Sequence, residues 1–182
     1  MENKISLKKI PCIILAGGFG TRLSEETFNK PKPMIELGNL PILVHIIKFY
    51  NSYGIENFII CGGYKVNMIK DYFINSKYYF NDIQIDYLKS EIKLINKKKQ
   101  NWKIKIIDTG LNSMTGGRLL RVKKLLNNIN NFFFTYGDGL SDIDLNKLYN
   151  FHIKHKKVAT LTSVYPEGRF GRINISKNIV TS

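Results

Sequence analysis

A glycine-rich segment near the amino terminus has the composition of a phosphate-binding loop. It reads LAGGFGTRL over residues 15–23 and directly follows a short apolar run. Glycines leave no side chain in the way, so neighbouring backbone N–H groups can converge on an anion. Arg22 adds a planar guanidinium suited to bidentate phosphate contact. The segment lacks the Gly-Lys-Ser/Thr element of a Walker loop, and Leu23 replaces the last glycine of the dinucleotide fingerprint. Taken alone, it is also compatible with a turn beside a solvated arginine.

A second segment, KPKPM over residues 30–34, supplies a lysine between two prolines. Each proline restricts its own φ angle and the residue before it, so we expect an extended backbone that holds Lys32 with little freedom. An ammonium fixed beside a phosphate-binding loop is suited to stabilise charge on a reacting phosphate. The two segments together therefore predict chemistry at a phosphate group.

A third candidate is the carboxylate of Asp138, which follows an apolar run and stands between Gly137 and Gly139. The flanking glycines leave the carboxylate uncrowded, and Mg²⁺ prefers one or two carboxylates together with phosphate oxygens. An Asp-Gly turn without any ligand is the alternative. Asp142 and Asp144 are instead expected to cap the following helix.

The elements that must hold these residues alternate between short β-branched runs and helix-period stretches. We predict strands over residues 10–16, 58–61, 83–88, 102–108, 132–136, 158–165 and 171–175. We predict helices over residues 41–54, 66–74, 115–126 and 145–155. This alternation indicates right-handed βαβ crossovers, and hence an α/β, Rossmann-like fold with a mostly parallel sheet flanked by helices. Ligands bind beyond the carboxyl ends of such strands, which selects the loops after Ala16, Asp108 and Tyr136.

Several of these segments together resemble the signature of the sugar-1-phosphate nucleotidyltransferases. They are GGFGTRL, KPKPM, LGNLPIL at residues 37–43, DTG at 108–110, TGGRL at 115–119 and FTYGDG at 134–139. SEET at 24–27, with DTG, TGGRL and EGRFG at 167–171, is similar to the glucose-1-phosphate cytidylyltransferase branch. The resemblance runs from Ile10 onward and implies a fold of the nucleotide-diphospho-sugar transferase type. It also implies that residues 1–182 are the amino-terminal part of one domain, truncated before the sugar-binding portion.

The resemblance further implies a role for individual residues. Arg22 and Lys32 would be catalytic, Asp138 would hold Mg²⁺, and Ser113 takes the position of a hydroxyl residue that touches the nucleotide. The implied nucleotide-binding positions are Leu15, Ala16, Gly17, Gly18, Phe19, Gly20, Thr21, Arg22, Lys32, Ser113, Arg118 and Gly137.

The implied reaction joins CTP and glucose 1-phosphate into CDP-glucose and pyrophosphate, for deoxysugars of bacterial surface polysaccharides such as O-antigen. A sister enzyme that uses UTP or dTTP remains an alternative, as does a nucleotide-binding module without turnover. The truncated chain is expected to bind CTP but to turn over poorly or not at all. The full-length form is expected to be a homo-oligomer.

The composition indicates which partners and which cellular location to expect. A formal charge of +14 suits anionic substrates, but the lysines are scattered, so we expect no nucleic-acid partner. RNA binding stays an alternative that only the charge favours. Cys12 and Cys61 lie in apolar runs and are expected to fill the core, with a metal or disulfide role as the alternative. No run of 18 apolar residues or ordinary signal peptide is present, so we expect a cytoplasmic protein without a membrane contact.

Overall fold

The strands and helices are taken from a computed structural model, which describes residues 6–19, 29–96, 100–164, 173–176 and 179–180. The strands are β1 (Cys12–Ala16), β2 (Glu36–Leu37), β3 (Leu40–Pro41), β4 (Asn57–Gly62), β5 (Asp82–Asp86), β6 (Glu91–Ile95), β7 (Lys103–Asp108), β8 (Phe133–Tyr136), β9 (Ile175–Ser176) and β10 (Ile179–Val180). The α-helices are α1 (Ile42–Ser52), α2 (Val66–Tyr79), α3 (Thr115–Val122) and α4 (Leu145–His155). Short 3-10 helices cover Leu7–Lys9, Lys32–Met34 and Lys123–Leu126.

Four strands form a parallel sheet in the order β7-β4-β1-β8, which confirms the predicted α/β class. The strand that carries the glycine loop, β1, lies inside this sheet. Ala16 is paired with Gly62, and Gly62 with Asp108, so β1, β4 and β7 end at the same level. The loops that follow these strands consequently start side by side, as a ligand site at the carboxyl edge requires.

Both faces of β1 are buried, because helices cover the sheet on its two sides. Ile13 and Leu15 pack with Val122 of α3 in one apolar cluster. On the other face, the buried Tyr50 ring of α1 meets Phe133 edge-on at 5.8 Å between centroids. Cys12 and Cys61 are fully buried free thiols, which confirms their predicted place in the core.

One antiparallel hairpin lies outside the sequence-based expectation. The predicted strand at 83–88 is present as β5, but it pairs with β6 in a separate two-stranded sheet. No strand was predicted over residues 91–95, where the structure places β6. Glu91 and Lys93 alternate there with Ile92 and Leu94, a period of two that favours a strand despite the charge.

The carboxyl-terminal part of the chain differs more from expectation. Contacts divide the chain into two compact units, Met1–Asn146 and Lys147–Ser182. Residues 158–164 form no strand, although 158–165 was predicted as one, and Val158 and Val164 are exposed. β-branched residues favour a strand only where a partner supplies the ladder, and no described strand does so here. Of the strand predicted at 171–175, the described part contributes Ile175 to β9.

The start of α4 agrees with the expected capping. The carboxylate of Asp144 accepts a hydrogen bond from the backbone N–H of Asn146 at 2.9 Å, which is the geometry of a helix N-cap. Within the described ranges, no helix combines the length and the apolar character that crossing a membrane requires.

Candidate functional site

The glycine loop begins at the carboxyl end of β1, and the structure describes its first five residues, 15–19. Among the described residues, none places a heavy atom within 4 Å of a Cβ atom added at Gly18, so none of them fills the space above this residue. The half-exposed ring of Phe19 lies 5.7 Å from the ring of Tyr64. The predicted positions Gly20, Thr21 and Arg22 lie outside the described residues, as do SEET and EGRFG.

Lys32 begins a 3-10 helix rather than continuing an extended chain. Pro31 is extended, with φ −66° and ψ 141°, as predicted. The following residues close a turn, because the N–H of Met34 donates to the Pro31 carbonyl at 2.7 Å and that of Ile35 donates to the Lys32 carbonyl at 3.1 Å. The expected extended form was therefore wrong from Lys32 onward. The φ angle of a proline also fits the first turn of a helix, so Pro33 permits this geometry.

The structure brings together Lys32 and Asp138, two of the predicted site residues. The Nζ atom of Lys32 lies 2.5 Å from Oδ2 of Asp138, and both side chains are about one-third exposed, at 29% and 32%. The ion pair belongs to the carboxyl edge of the sheet, because Asp138 comes two residues after β8.

Gly137 explains why these two side chains meet. Its N–H donates to the carbonyl of Leu15 at 2.7 Å, which ties the loop after β8 to the end of β1. A Cβ atom at position 137 would lie 2.8 Å from Cγ of Pro33 and 2.9 Å from the Leu15 oxygen. Only glycine leaves room for this approach, which sets Asp138 beside the lysine that precedes Pro33.

A second group of contacts centres on Arg118 of α3, a cation that is only 4% exposed. Its Nη1 atom donates to the carbonyls of Gly62 and Gly110 at 2.9 and 2.8 Å and to Oγ1 of Thr109 at 2.7 Å. Its Nη2 atom donates to the carbonyls of Gly17 and Leu111 at 2.7 and 3.2 Å. Burial lowers the pKa of this guanidinium below its ordinary value.

The loop after β7 is held by further hydrogen bonds. The buried Thr109 hydroxyl donates to the Gly62 carbonyl at 2.5 Å. The predicted site residue Ser113 donates from Oγ to the Thr109 carbonyl at 2.5 Å, and Arg121 donates to the same carbonyl at 2.7 Å. Sequence reasoning named Ser113 and Arg118 but missed Thr109 and Arg121. Two arginines three residues apart on the helix that follows DTG were the signal that both would lie on one helix face.

In the described part of the chain, no group of three or more His, Cys, Asp or Glu side chains lies in a position to hold a metal ion. The ion-pair partner of the Asp138 carboxylate is Lys32. One carboxylate suits a cation only when other ligands, such as phosphate oxygens, complete the coordination.

Comparison with known sequences gives a consistent result. The pattern of the nucleotidyl transferase family matches residues 11–181. The chain is 48% identical over 170 residues to glucose-1-phosphate cytidylyltransferase of Salmonella typhi, covering 93% of this chain and 66% of that protein. It is 37% identical to a probable glucose-1-phosphate cytidylyltransferase of Bacillus subtilis (strain 168), covering 90% and 63%. The chain thus spans just under two thirds of the length of these relatives.

Solved structures share this fold. HddC from Yersinia pseudotuberculosis, complexed with GMP-PN, superimposes with a TM-score of 0.58 at 25% identity, over 79% of this chain and 54% of that one. A UDP-glucose pyrophosphorylase complexed with UDP-glucose gives a TM-score of 0.55 at 20% identity, over 81% and 54%. The likeness to the UDP-glucose pyrophosphorylase, at 20% identity, concerns the fold alone. Together they confirm the predicted fold of the nucleotide-diphospho-sugar transferase type.

Proposed function

Since the chain belongs to the nucleotidyl transferase family, we propose that it is the nucleotide-binding part of a glucose-1-phosphate cytidylyltransferase. The observation that carries this proposal is the 48% identity, across 93% of the chain, to the Salmonella typhi protein of that name. Residues 1–182 would then form the amino-terminal part of a single nucleotidyltransferase domain.

The proposed reaction transfers the CMP group of CTP to glucose 1-phosphate. A phosphate oxygen of the sugar attacks the α-phosphorus of CTP and forms a new P–O bond. The bond between the α-phosphorus and the bridging oxygen breaks, and pyrophosphate leaves with that electron pair. No covalent bond to the protein is needed, so the work of the chain is to align two anions and to counter the charge that develops.

The glycine loop is proposed to receive the nucleotide. The open space above Gly18 and the exposed edge of Phe19 lie at the end of β1, where backbone N–H groups can approach a phosphate. Gly137 is hydrogen-bonded to Leu15, which keeps the loop after β8 beside the same strand end. Gly20, Thr21 and Arg22 complete the loop in sequence and are included in the proposed site.

Asp138 is proposed as the protein ligand of Mg²⁺, and the residues present fit this ion. Its carboxylate lies at the edge where the phosphates would bind, and a single carboxylate with phosphate oxygens is a usual Mg²⁺ environment. When bound, Mg²⁺ would supply positive charge to the phosphates of CTP. Lys32, released from its ion pair with Asp138, would place its ammonium on a phosphate oxygen.

Nucleotide binding tests the proposal directly. Calorimetry with CTP, UTP, dTTP and ATP, each with Mg²⁺, is expected to give the tightest binding with CTP. Pyrophosphate release with glucose 1-phosphate and the same nucleotides is the parallel measurement of turnover. Preference for UTP or dTTP would move the protein to a sister activity. Failure to bind any nucleotide, with RNA binding that weakens steeply with salt, would refute the proposal.

A further inference from the structure

Arg118 carries a buried positive charge that has no carboxylate partner among the described residues. We infer that Arg118 is a positioning residue: its guanidinium fixes the relative positions of the loops after β1, β4 and β7, and so sets the geometry of the nucleotide site. The inference rests on the proposed function for what the loops bind. The positioning itself is argued from contacts within the chain.

The acceptors of Arg118 come from three separate strand ends. Gly17 follows β1, Gly62 ends β4, and Gly110 and Leu111 follow β7. Gly17 is 101 residues away from Arg118 in sequence, so the hydrogen bond between them joins distant parts of the chain. A planar guanidinium with two terminal nitrogens can hold such divergent acceptors at fixed angles, which an ammonium cannot do.

The glycines around the guanidinium show how closely these loops approach. A Cβ atom at Gly17 would overlap the guanidinium itself. A Cβ atom at Gly63 would lie 2.6 Å from Nη1 of Arg118, 2.7 Å from the Gly17 oxygen and 2.9 Å from the Gly110 oxygen. The space between the three loops is therefore filled by the arginine side chain and admits no other.

Electrostatics favours a cation at this point of the sheet. Four backbone carbonyls at or just after the ends of these parallel strands accept hydrogen bonds from Arg118. Hydrogen bonds to a charged donor are stronger than neutral ones, and they offset part of the cost of burying the charge. The charge thus holds the loops together through their carbonyls.

The connection to the nucleotide runs through Gly17. The carbonyl that Arg118 holds belongs to the residue next to Gly18, whose open face is the proposed phosphate position. The same Gly17 oxygen accepts from the N–H of Tyr64 at 3.2 Å, which joins the loop after β4 to the glycine loop. Loss of the guanidinium would let these loops separate and misalign the N–H groups that converge on the phosphate.

The test measures hydrogen exchange in the nucleotide-free chain and CTP affinity in the same variants. In Arg118→Gln, the amide protons of Tyr64 and Thr109 are expected to exchange several-fold faster, and the Kd for CTP to rise about tenfold. Arg118→Lys keeps the charge and one nitrogen, so it should recover part of both effects. Gly63→Ala forces the same loops apart without changing the arginine, so it should reproduce the faster exchange and the weaker CTP affinity. This second variant keeps the test decisive if Arg118→Gln does not fold.

Arg121→Gln is the matched control, because Arg121 lies on the same helix and donates to the Thr109 carbonyl in the loop after β7. Its faster exchange should stay within residues 107–112 and leave the Tyr64 amide unchanged. A weaker CTP affinity in Arg118→Gln with unchanged exchange would show that Arg118 acts on the nucleotide without holding the loops, and would overturn the inference. Faster exchange with unchanged CTP affinity would show that Arg118 supports the fold but not the nucleotide site, and would equally overturn the inference. If the parent chain binds no CTP, the proposed function fails, and the exchange data alone decide whether the loops are held.

Discussion

The ammonium of Lys32 and the carboxylate of Asp138 form an ion pair of 2.5 Å at the carboxyl edge of the sheet. These are the two groups proposed to meet the phosphates and the metal, and in the nucleotide-free structure each neutralises the other. Asp138 must give up this partner before it can hold a cation closely, and Lys32 must do so before it can reach a phosphate. The ion pair therefore couples the two binding events.

Removal of the lysine should strengthen metal binding to the nucleotide-free protein. In Lys32→Ala, Asp138 no longer has a competing ammonium, so its affinity for Mn²⁺ is expected to rise about fivefold, as loss of an ion pair worth ~1 kcal/mol would give. Electron paramagnetic resonance of free Mn²⁺ measures this without turnover. Lys30→Ala is the control, since it breaks the exposed pair with Glu36 and should leave Mn²⁺ affinity unchanged. An equal affinity in Lys32→Ala and the parent would contradict the competition.

The same variant should lose catalysis. Removal of one donor that stabilises charge in a transition state costs on the order of a hundredfold or more in rate. The fold should survive, because the Lys32 side chain is 29% exposed and lies at the edge of the sheet. The readout is the rate of pyrophosphate release, measured in a form of this protein that has measurable turnover. The rate of Lys30→Ala should remain within a few-fold of the parent. Near-normal turnover of Lys32→Ala would remove the lysine from the mechanism.

Asp138→Asn should remove the metal dependence of nucleotide binding. The amide keeps the size of the side chain but has no negative charge for Mg²⁺. Calorimetry with CTP in the presence and absence of Mg²⁺ is expected to give a smaller difference in this variant than in the parent. Asp142→Asn, an exposed change four residues later, should keep the parental difference. Identical Mg²⁺ dependence in Asp138→Asn would take the metal role away from Asp138.

The four strands of the parallel sheet could be predicted from sequence. β1 and β4 are buried apolar runs, β7 and β8 are only partly buried, and all four alternate with helix-period stretches, so local pattern is sufficient to find them. The hairpin of β5 and β6 was missed because its strands carry charges on exposed positions, and the lysines concealed the period of two. The strand prediction over residues 158–164 was wrong for the opposite reason, since β-branched composition does not supply a partner strand.

The candidate site was predictable only as a set of separate residues. The proline-flanked position of Lys32 and the strand-end position of Asp138 made both residues candidates. Their ion pair depends on the packing of Gly137 against Pro33 and Leu15, which no local pattern contains. Arg118 likewise became a candidate because it belongs to the TGGRL motif. Its carbonyl partners lie up to 101 residues away, so they follow from the register of the parallel strands.

The glycine loop offers a substitution that separates binding from folding. The Cβ of a valine at Gly18 meets no heavy atom of the described residues within 4 Å, so Gly18→Val should fold with nearly the parental midpoint of urea unfolding. Its side chain would occupy the space proposed for a phosphate, and CTP affinity should fall at least tenfold. Calorimetry and urea unfolding on the same sample check both statements. Parental CTP affinity in the folded variant would exclude this face of the loop as the phosphate position.

The buried thiol of Cys61 should make stability depend on pH in the alkaline range. Burial raises the pKa of this thiol from 9.0 to about 11, with nearby Arg118 opposing the shift. The unfolded chain ionises its thiol at lower pH than the folded chain, so the stability that the neutral thiol contributes is complete below pH 9 and is lost as pH rises towards 11. The difference in free energy of unfolding between the parent and Cys61→Ala should therefore shrink between pH 8 and pH 10.5, measured by urea unfolding. Ile60→Val, a neighbouring buried change without a titrating group, should show a constant difference, and a constant difference for Cys61→Ala as well would contradict the prediction.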